Sequence, residues 1–337
     1  MKQVVIPNTD LKVSNICLGA GNFGDKLNEE EAYQVLDSFV LAGGNFIDTA
    51  KVYCSWVTGD NSSEQYIGRW LKLRNAYQNV MIATKGAHYN LDDKEKRSRV
   101  NKKDIAIDLE ESLQTLGLDC IGLYYLHRDD KQIPVEEIVD FCEEFVKEGK
   151  IRYYAFSNWD IDRATSALDY AKNTEKKGFV ALSNQYSLAY VKKENNMNPD
   201  KTLSLTDMDY LAWHKETGIP LIPYTSVANG FYEKLRNSGA YQNGTLQSEL
   251  LGKTMSERMI RAFINPCNLK RYEILEELQK EYGYSMIELS LAYLTNHSAP
   301  IIPVISVRNT TQLEPVIRAS EIVLPKDVIT KLDECAK

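Results

Sequence analysis

The 337-residue sequence lacks the features that mark membrane-spanning, secreted or zinc-binding proteins. It contains no run of about 18 apolar residues, so no membrane-spanning helix is expected. Its first residues, Met1 to Pro7, contain no apolar core of signal-peptide length. The six cysteines are scattered without a C-x2-C pair, which argues against a metal site and for reduced thiols. We therefore expect a cytoplasmic protein with no metal.

The chain also lacks a surplus of positive charge. Forty basic residues stand against forty-seven acidic ones, which gives a net charge of −7. The nearest basic clusters, residues 94–97 and 102–103, are typical of a solvated loop and a helix start. These features argue against nucleic-acid and membrane-surface partners. No repeat, low-complexity tract or linker interrupts the chain, so we expect one domain over residues 1–337, a length that suits an α/β barrel.

Three short apolar stretches each end in a chemically active side chain. The stretches are residues 46–47, 80–84 and 121–126. The residues that follow them are Asp48, Lys85 and His127. In a parallel α/β barrel the carboxyl ends of the strands share one face, where chemistry is done. We expect these three side chains to converge there with Tyr53, from the loop after the first stretch.

A phenol beside an ammonium group suits proton transfer to a substrate oxygen. A free tyrosine has a pKa of about 10, and a nearby lysine lowers it. Asp48 can hold Lys85 charged, and His127 can hydrogen-bond the same substrate oxygen as Tyr53. Such a site can protonate an oxygen that becomes an alkoxide as hydride arrives, or perform the reverse. Because no side chain supplies hydride, a nicotinamide cofactor would have to carry it.

The ordered pattern of strand-Asp-x4-Tyr, strand-Lys and strand-His resembles the aldo-keto reductase superfamily. The resemblance runs from Gly19 to about Leu332. It implies an α/β fold, a (β/α)8 TIM barrel whose bottom is capped by an N-terminal β-hairpin at residues 3–13. An extra C-terminal helix from Lys326 would pack outside the barrel. The family binds NADP(H) without a Rossmann domain and interconverts carbonyl compounds and alcohols.

The resemblance assigns roles to individual residues. Tyr53 would be the general acid/base, Lys85 and Asp48 would tune it, and His127 would orient the substrate carbonyl. The implied cofactor-binding residues are Gly21, Asn22, Phe23, Asp48, Ser157, Asn158, Gln185, Tyr224, Thr225, Ser226, Val227, Asn229, Ser306, Val307, Arg308 and Gln312.

The cofactor preference depends on Arg308, which suits a 2′-phosphate and is the only cation expected near that helix start. The chain departs from the family pattern where Gln312 replaces a frequent arginine. We predict NADP(H) as the favoured cofactor, with NAD(H) possible.

The substrate is predicted to be a small carbonyl compound or alcohol, with an apolar or ring-bearing pocket. The aromatic residues assigned to this pocket are Phe23, Trp56, Tyr89, His127 and Trp159. Trp56 lies in a loop from Cys54 to Asn61, which is either a specificity element or an ordinary surface loop. Cys54 is either a reactive thiol or an inert neighbour of Tyr53.

Three local features are predicted as well. Ser62 or Ser63 is expected to cap a helix, and His88 is expected to face solvent. Residues 230–268 have the composition of a long polar connection, of the kind that forms a lid or binding loop.

Two other function classes remain open. The same barrel can serve as a catalytically idle, cofactor-binding regulatory subunit, or as an isomerase or lyase that shares only the fold. The complete quartet argues against the first, and the second leaves Ser157, Asn158, Gln185 and Tyr224 without a role. No interface stripe indicates an oligomeric state.

Overall fold

The computed structural model describes residues 1–198 and 200–335 and consists of a curled parallel sheet surrounded by helices. The strands are β1 (Gln3–Val5), β2 (Lys12–Ser14), β3 (Cys17–Gly19), β4 (Phe46–Asp48), β5 (Met81–Gly86), β6 (Ile121–Leu126), β7 (Ile151–Ser157), β8 (Leu182–Ser183), β9 (Tyr241–Gln242), β10 (Thr245–Leu246) and β11 (Val304–Ile305).

The helices alternate with the strands of the main sheet. They are α1 (Glu29–Leu41), α2 (Ser55–Thr58), α3 (Ser62–Arg74), α4 (Lys102–Leu116), α5 (Val135–Lys147), α6 (Ile161–Asn173), α7 (Met208–Thr217), α8 (Phe231–Ser238), α9 (Glu257–Phe263), α10 (Pro266–Tyr282), α11 (Met286–Asn296), α12 (Thr310–Ala319) and α13 (Lys326–Glu334). None of the helices described is long and apolar enough to cross a membrane.

The main sheet closes into the predicted (β/α)8 barrel. Seven parallel strands follow the order β11, β3, β4, β5, β6, β7, β8. The eighth position is filled by Leu221, which bridges β8 on one side and Ile301 on the other. The strand predicted at residues 219–223 is thus reduced to a bridge, because Pro220 and Pro223 have no amide hydrogen to donate to a ladder.

The pleat of the strands explains which side chains face the barrel interior. Side chains alternate between the two faces of a strand. The innermost core cluster includes Phe46 on β4, Ala83 on β5 and Tyr125 on β6. Two positions further along the chain, on the same face, come Asp48, Lys85 and His127. The barrel therefore directs all three towards the opening at the carboxyl ends of the strands.

The hairpin of β1 and β2 closes the other end of the barrel. Ile6, Leu11 and Val13 are buried in the same core cluster as the inward residues of the strands. The amide of Asn15 donates to the carbonyl of Lys2 at 3.0 Å and fixes the hairpin's base. The predicted capping hairpin is therefore confirmed.

The prediction of a long polar loop at residues 230–268 is wrong. This segment contains α8, the hairpin of β9 and β10, a 3-10 helix at Ser248–Lys253 and α9. Its apolar side chains, including Phe231, Leu251 and Phe263, are buried in one cluster with α10, α11 and α13. Residues 237–244, which are rich in glycine and asparagine, form the end of α8, its C-cap Gly239, β9 and the turn before β10.

Two smaller expectations also need correction. The residue that precedes α3 is Asn61, and neither Ser62 nor Ser63 caps the helix. The Ser63 hydroxyl instead donates to the carbonyl of Ala20 at 2.9 Å, which ties α3 to the loop after β3. The segment Cys54 to Asn61, expected to be a loop, contains the short helix α2.

Candidate active site

A buried ion pair lies at the centre of the carboxyl-end face. The Nζ of Lys85 lies 2.6 Å from each carboxylate oxygen of Asp48 and 2.8 Å from the carbonyl oxygen of Thr49. The side chains of Lys85 and Asp48 are only 4% and 6% exposed. Burial acts to lower the pKa of Lys85, but the negative charge of Asp48 raises it above its ordinary value. Lys85 therefore remains an ammonium group.

Tyr53 lies directly above this pair. The Nζ of Lys85 is 4.9 Å from the centroid of the Tyr53 ring. The loop that carries Tyr53 is held by backbone hydrogen bonds, from Lys51 to the carbonyl of Lys85 and from Tyr53 to that of Ala50. Burial raises the pKa of Tyr53, whereas the charge of Lys85 lowers it, and burial has the larger effect. The lysine acts in the direction expected from the sequence, but the phenol stays protonated.

His127 completes the quartet. Its ring meets the Tyr53 ring edge-on, with 5.8 Å between the centroids. Its Nδ1 is buried and has no hydrogen-bond partner among the residues described. Burial, followed by the charge of Arg128, holds the pKa of His127 well below its usual range. The imidazole is therefore neutral and can offer one N–H to a ligand.

His88 lies beside His127 and does not face solvent, so that expectation is wrong. The two rings meet edge-on, with their centroids 5.0 Å apart. The Nδ1 of His88 lies 2.8 Å from the Tyr89 carbonyl, and its Nε2 lies 2.9 Å from Nη2 of Arg128. Because arginine only donates, Nε2 accepts and Nδ1 carries the hydrogen. Burial lowers the pKa of His88 to about 4, so this ring is also neutral.

A cleft opens beside the quartet, and the structure changes the predicted list of its aromatic residues. Trp56 and Tyr89 line the cleft with Val52, His88 and Arg128. Trp56 is 52% exposed and meets Tyr53 edge-on at 6.3 Å.

Phe23 and Trp159 do not line this cleft, and we withdraw both from the pocket. Phe23 is buried in the core cluster that contains residues of α1 and α3. Trp159 is fully buried, and its ring stacks on Phe156 with 3.9 Å between centroids. Both side chains turn into the packed layer between the barrel and its helices.

A hydrogen-bonded amide cluster borders the quartet on the other side. The Nδ2 of Asn158 donates to the carbonyl of His127 at 3.2 Å and to the Ser157 hydroxyl at 3.1 Å. Its Oδ1 accepts the hydroxyl of Tyr224 at 2.6 Å. The side-chain amide of Gln185 exchanges two hydrogen bonds of 3.2 Å with that of Asn196. All four predicted residues are thus brought to the same face as the quartet.

The loop after Tyr224 has an unusual backbone. Thr225, Ala228 and Asn229 all have positive φ angles, between 47° and 60°. A positive φ is costly for a β-branched residue such as Thr225, and such strain concentrates at ligand sites. The buried hydroxyl of Ser226 donates to the carbonyl of Pro223 at 2.9 Å and helps to hold the loop. Val227, also predicted to bind the cofactor, lies in the same turn.

The third group of predicted cofactor residues follows β11. The Ser306 hydroxyl donates to the carbonyl of Gly19, and Nδ2 of Asn22 donates to that of Val307. These bonds join the end of β11 to the loop after β3. In that loop Gly21 is adjacent to the active site, because a Cβ there would lie 3.9 Å from the Tyr53 ring.

Arg308 is not the only cation near the start of α12, as the sequence had suggested. Burial and then the charge of Arg308 lower the pKa of Lys234 on α8, so these two cations act on each other. Within residues 1–198 and 200–335, neither forms an ion pair with a carboxylate. Gln312 instead fixes the backbone, since its Oε1 accepts the amide of Arg308 at 2.9 Å.

Comparison with known proteins identifies the chain. A family model described as "Aldo/keto reductase family" matches residues 15–337. The chain belongs to the aldo/keto reductase family. Its relatives include an aryl-alcohol dehydrogenase [NADP(+)] of Phanerodontia chrysosporium, 26% identical over 97% of this chain and 84% of the relative. They also include norsolorinic acid reductase B of Dothistroma septosporum, 23% identical over 97% and 79%. An uncharacterized oxidoreductase, YrpG, of Bacillus subtilis is 26% identical over 99% and 95%.

The chain is therefore an NAD(P)H-dependent reductase, and its own residues fit a nicotinamide dinucleotide. A cleft of about 390 Å³ is bordered by Gln185, Tyr224, Thr225, Asn229 and Arg258. The strained loop lies along this cleft. The adjacent cations near α12, which have no acidic partner among the described residues, suit an anionic phosphate.

The structure favours the second of the two predictions for Cys54, an inert neighbour of Tyr53. Its buried Sγ donates to the carbonyl of Gly21 at 3.4 Å. Burial raises the pKa of its thiol to about 11, so it is protonated and a poor nucleophile.

Sequence reasoning missed five polar residues of this face. They are His88, Arg128, Lys234, Arg258 and Asp200. Only Arg128 could have been assigned to the site from the sequence, because it directly follows His127 at the end of a strand. The others lie on loops and helices whose distance from the site is set by tertiary packing.

Proposed function

We propose that this reductase interconverts an aldehyde or ketone and the corresponding alcohol, with Tyr53 as the general acid and base. The observation that carries this proposal is the stacking of Tyr53 over the buried Lys85–Asp48 pair, with neutral His127 at its edge. A protonated phenol next to a fixed ammonium group can release its proton when negative charge develops on a substrate oxygen.

Each residue of the quartet has a separate task in this mechanism. The bound nicotinamide would supply hydride to the carbonyl carbon or accept it from the alcohol. Tyr53 donates the proton from its Oη to the substrate oxygen in reduction and removes it in oxidation. His127 donates a hydrogen bond to the same oxygen and so orients the carbonyl. Lys85 stabilises the phenolate that Tyr53 becomes, and Asp48 holds Lys85 in place.

We propose NADP(H) as the preferred cofactor. The support is the pair of cations Arg308 and Lys234, which would bind the 2′-phosphate that NAD(H) lacks. Ser157, Asn158 and Gln185 would hold the carboxamide, and Tyr224 would stack on the nicotinamide. The printed name of one relative, an aryl-alcohol dehydrogenase [NADP(+)], agrees with this choice.

We propose aromatic aldehydes and alcohols as the substrate class. Trp56 and Tyr89 line the cleft next to Tyr53 and provide apolar ring surface. Relatives are named aryl-alcohol dehydrogenase and norsolorinic acid reductase, which supports the same class.

Tyr53→Phe tests the mechanism. We expect kcat to fall by about 100-fold or more, the usual contribution of general acid catalysis. NADPH should still quench the intrinsic fluorescence with an unchanged Kd, because the ring itself remains. Tyr89→Phe, which removes a hydroxyl from the same cleft, is the matched control and should retain most activity. A Tyr53→Phe variant with near wild-type kcat contradicts the assignment.

The idle-subunit alternative is tested with the unaltered protein. Tight NADPH binding together with no turnover of a panel of aryl, alkyl and sugar aldehydes would favour it over the reductase mechanism.

A further inference from the structure

Arg128 occupies a position that the quartet does not explain. Its Nη1 donates to the carbonyl of His127 at 2.8 Å, and its Nη2 donates to His88 at 2.9 Å. The side chain is only 12% exposed, and its Nε is buried without a partner among the described residues. Both partners are neutral acceptors. The guanidinium is therefore held rigidly at the wall of the substrate cleft, with no carboxylate hydrogen-bonded to it.

The nearest acid is directed elsewhere. Asp200 Oδ2 lies 3.8 Å from Nη2 of Arg128 and 3.7 Å from Nζ of Lys96, both beyond good hydrogen-bond length. It accepts hydrogen bonds instead from the Tyr89 hydroxyl at 2.8 Å and, through Oδ1, from the amide and hydroxyl of Thr202. Burial opposes the charge of Asp200, but these bonds lower its pKa to about 2. The cleft thus holds two cations and one anion.

We propose that Arg128 binds an anionic substituent of the substrate, so that the preferred substrates are aryl aldehydes that carry a carboxylate on the ring. This inference rests on the proposed function, because it extends the same site. The net charge of the cleft, one positive, suits a monoanion. The fixed guanidinium presents a planar set of donors that matches a carboxylate.

The position of Arg128 agrees with this role. Tyr53 and His127 meet at the place where the substrate oxygen would lie. The His88 ring contacts His127 on one side and the Nη2 of Arg128 on the other. We therefore place a substituent on the far side of the benzene ring from the aldehyde in the cleft that Arg128 lines together with Trp56 and Tyr89.

The competing explanation is that Arg128 acts only through the quartet. Its charge lowers the pKa of both His127 and Tyr53. A tuning role would change the turnover of every substrate by the same factor. A binding role would change only the turnover of anionic substrates, so two substrates that differ in one charge separate the two roles.

The test compares 4-carboxybenzaldehyde with 4-formylbenzamide, which has nearly the same shape and no charge. We expect the wild-type protein to favour the carboxylate in kcat/KM by about 10-fold or more, typical of a charge-assisted hydrogen bond. Arg128→Met should lower kcat/KM for the carboxylate by about 10- to 100-fold and that for the amide by less than about 3-fold. Lys103→Met, which removes an exposed cation from α4, is the control for net charge and should change neither.

Asp200→Asn provides a second and opposite test. It removes the negative charge that lies 3.8 Å from Arg128, so KM for the carboxylate should fall several-fold while KM for the amide stays constant. A loss of stability alone would not improve the use of one substrate. This variant also keeps the proposal testable if Arg128→Met does not fold.

The outcomes distinguish the two proposals. If the wild-type protein binds NADPH but reduces neither aldehyde, the proposed function fails. The proposed function stands if the wild-type protein has equal kcat/KM for the two aldehydes, or if Arg128→Met lowers kcat/KM for both by the same factor. Either result overturns the role of Arg128 in anion binding.

Discussion

The buried pair Lys85–Asp48 allows stability and activity to be separated by mutation. In Lys85→Met the carboxylate of Asp48 loses its ion pair but stays buried. Removing one partner from a buried pair typically costs about 3–5 kcal/mol, because the other charge is left uncompensated. A typical domain has a free energy of unfolding of about 5–15 kcal/mol, so this loss should be plainly visible. Urea unfolding followed by tryptophan fluorescence would measure it.

The double variant Lys85→Met/Asp48→Asn is the matched control. With both charges removed, most of the lost free energy of unfolding should return, because a neutral amide has a much smaller desolvation cost than a carboxylate. Activity should not return, since no ammonium group is left to stabilise the Tyr53 phenolate. A Lys85→Met variant destabilised by less than about 1 kcal/mol would refute the burial of this pair. Recovery of turnover in the double variant would refute the role of the lysine.

The pH dependence of Asp48→Asn gives an independent check. In this variant the raising effect of Asp48 is gone, and burial, the largest effect on Lys85, is opposed only by Tyr53. We expect the pKa of Lys85 in the folded state to fall below the unfolded value of about 10.4. Between these two pKa values the unfolded chain binds more protons, so stability must rise as the pH increases towards 10. In the wild-type protein the pKa of Lys85 is raised. Its contribution to stability is therefore fully present below about pH 10.4 and disappears only above that value.

Two further predictions concern the cofactor and the proton donor. Arg308→Ala and Lys234→Ala should each weaken NADPH binding by about 10-fold and leave NADH binding unchanged, as measured by fluorescence titration; equal losses for both cofactors would make these residues structural. The kcat/KM for reduction should be constant from about pH 6 to pH 9, because the pKa of Tyr53 is raised and that of His127 is far below its usual range. It should fall only as the pH rises through the pKa of Tyr53, and a basic limb near pH 8 in the NADPH complex would contradict this.

The parts of the fold that were predicted correctly depend on local sequence patterns. In a β-strand every second side chain points to the same face. The pleat alone therefore brings Asp48, Lys85 and His127, at the ends of three apolar strands, to one face. Helices α4 and α5 carry apolar residues at helical spacing, which is a local signal, and these residues lie on the buried sides of the helices. These features can be predicted without knowing which distant parts of the chain pack against them.

The errors occurred where tertiary packing overrides the local pattern. Phe23 and Trp159 follow strand ends, as residues of a pocket would, but their rings pack into the layer between barrel and helices. Residues 230–268 are mostly polar, but a few apolar side chains among them pack α8 and α9 against the core. His88 resembles a loop residue in the sequence, and only the fold places it against His127 and Arg128.

The distribution of charge explains why the net charge of the chain was a poor guide to its ligands. At physiological ionic strength, charges interact over about 8 Å, so a local group of cations dominates over a distant surplus of acids. Lys234 and Arg308, which we propose bind the cofactor, have no acidic partners in the part of the chain that the structure describes. Arg128 lies on the substrate side, where Asp200 reduces the positive charge. Unpaired cations suit the phosphates of a dinucleotide, whereas a partly neutralised arginine suits a single carboxylate. On these proposals the chain would bind two anionic groups, one on the cofactor and one on the substrate, while its overall charge remains negative.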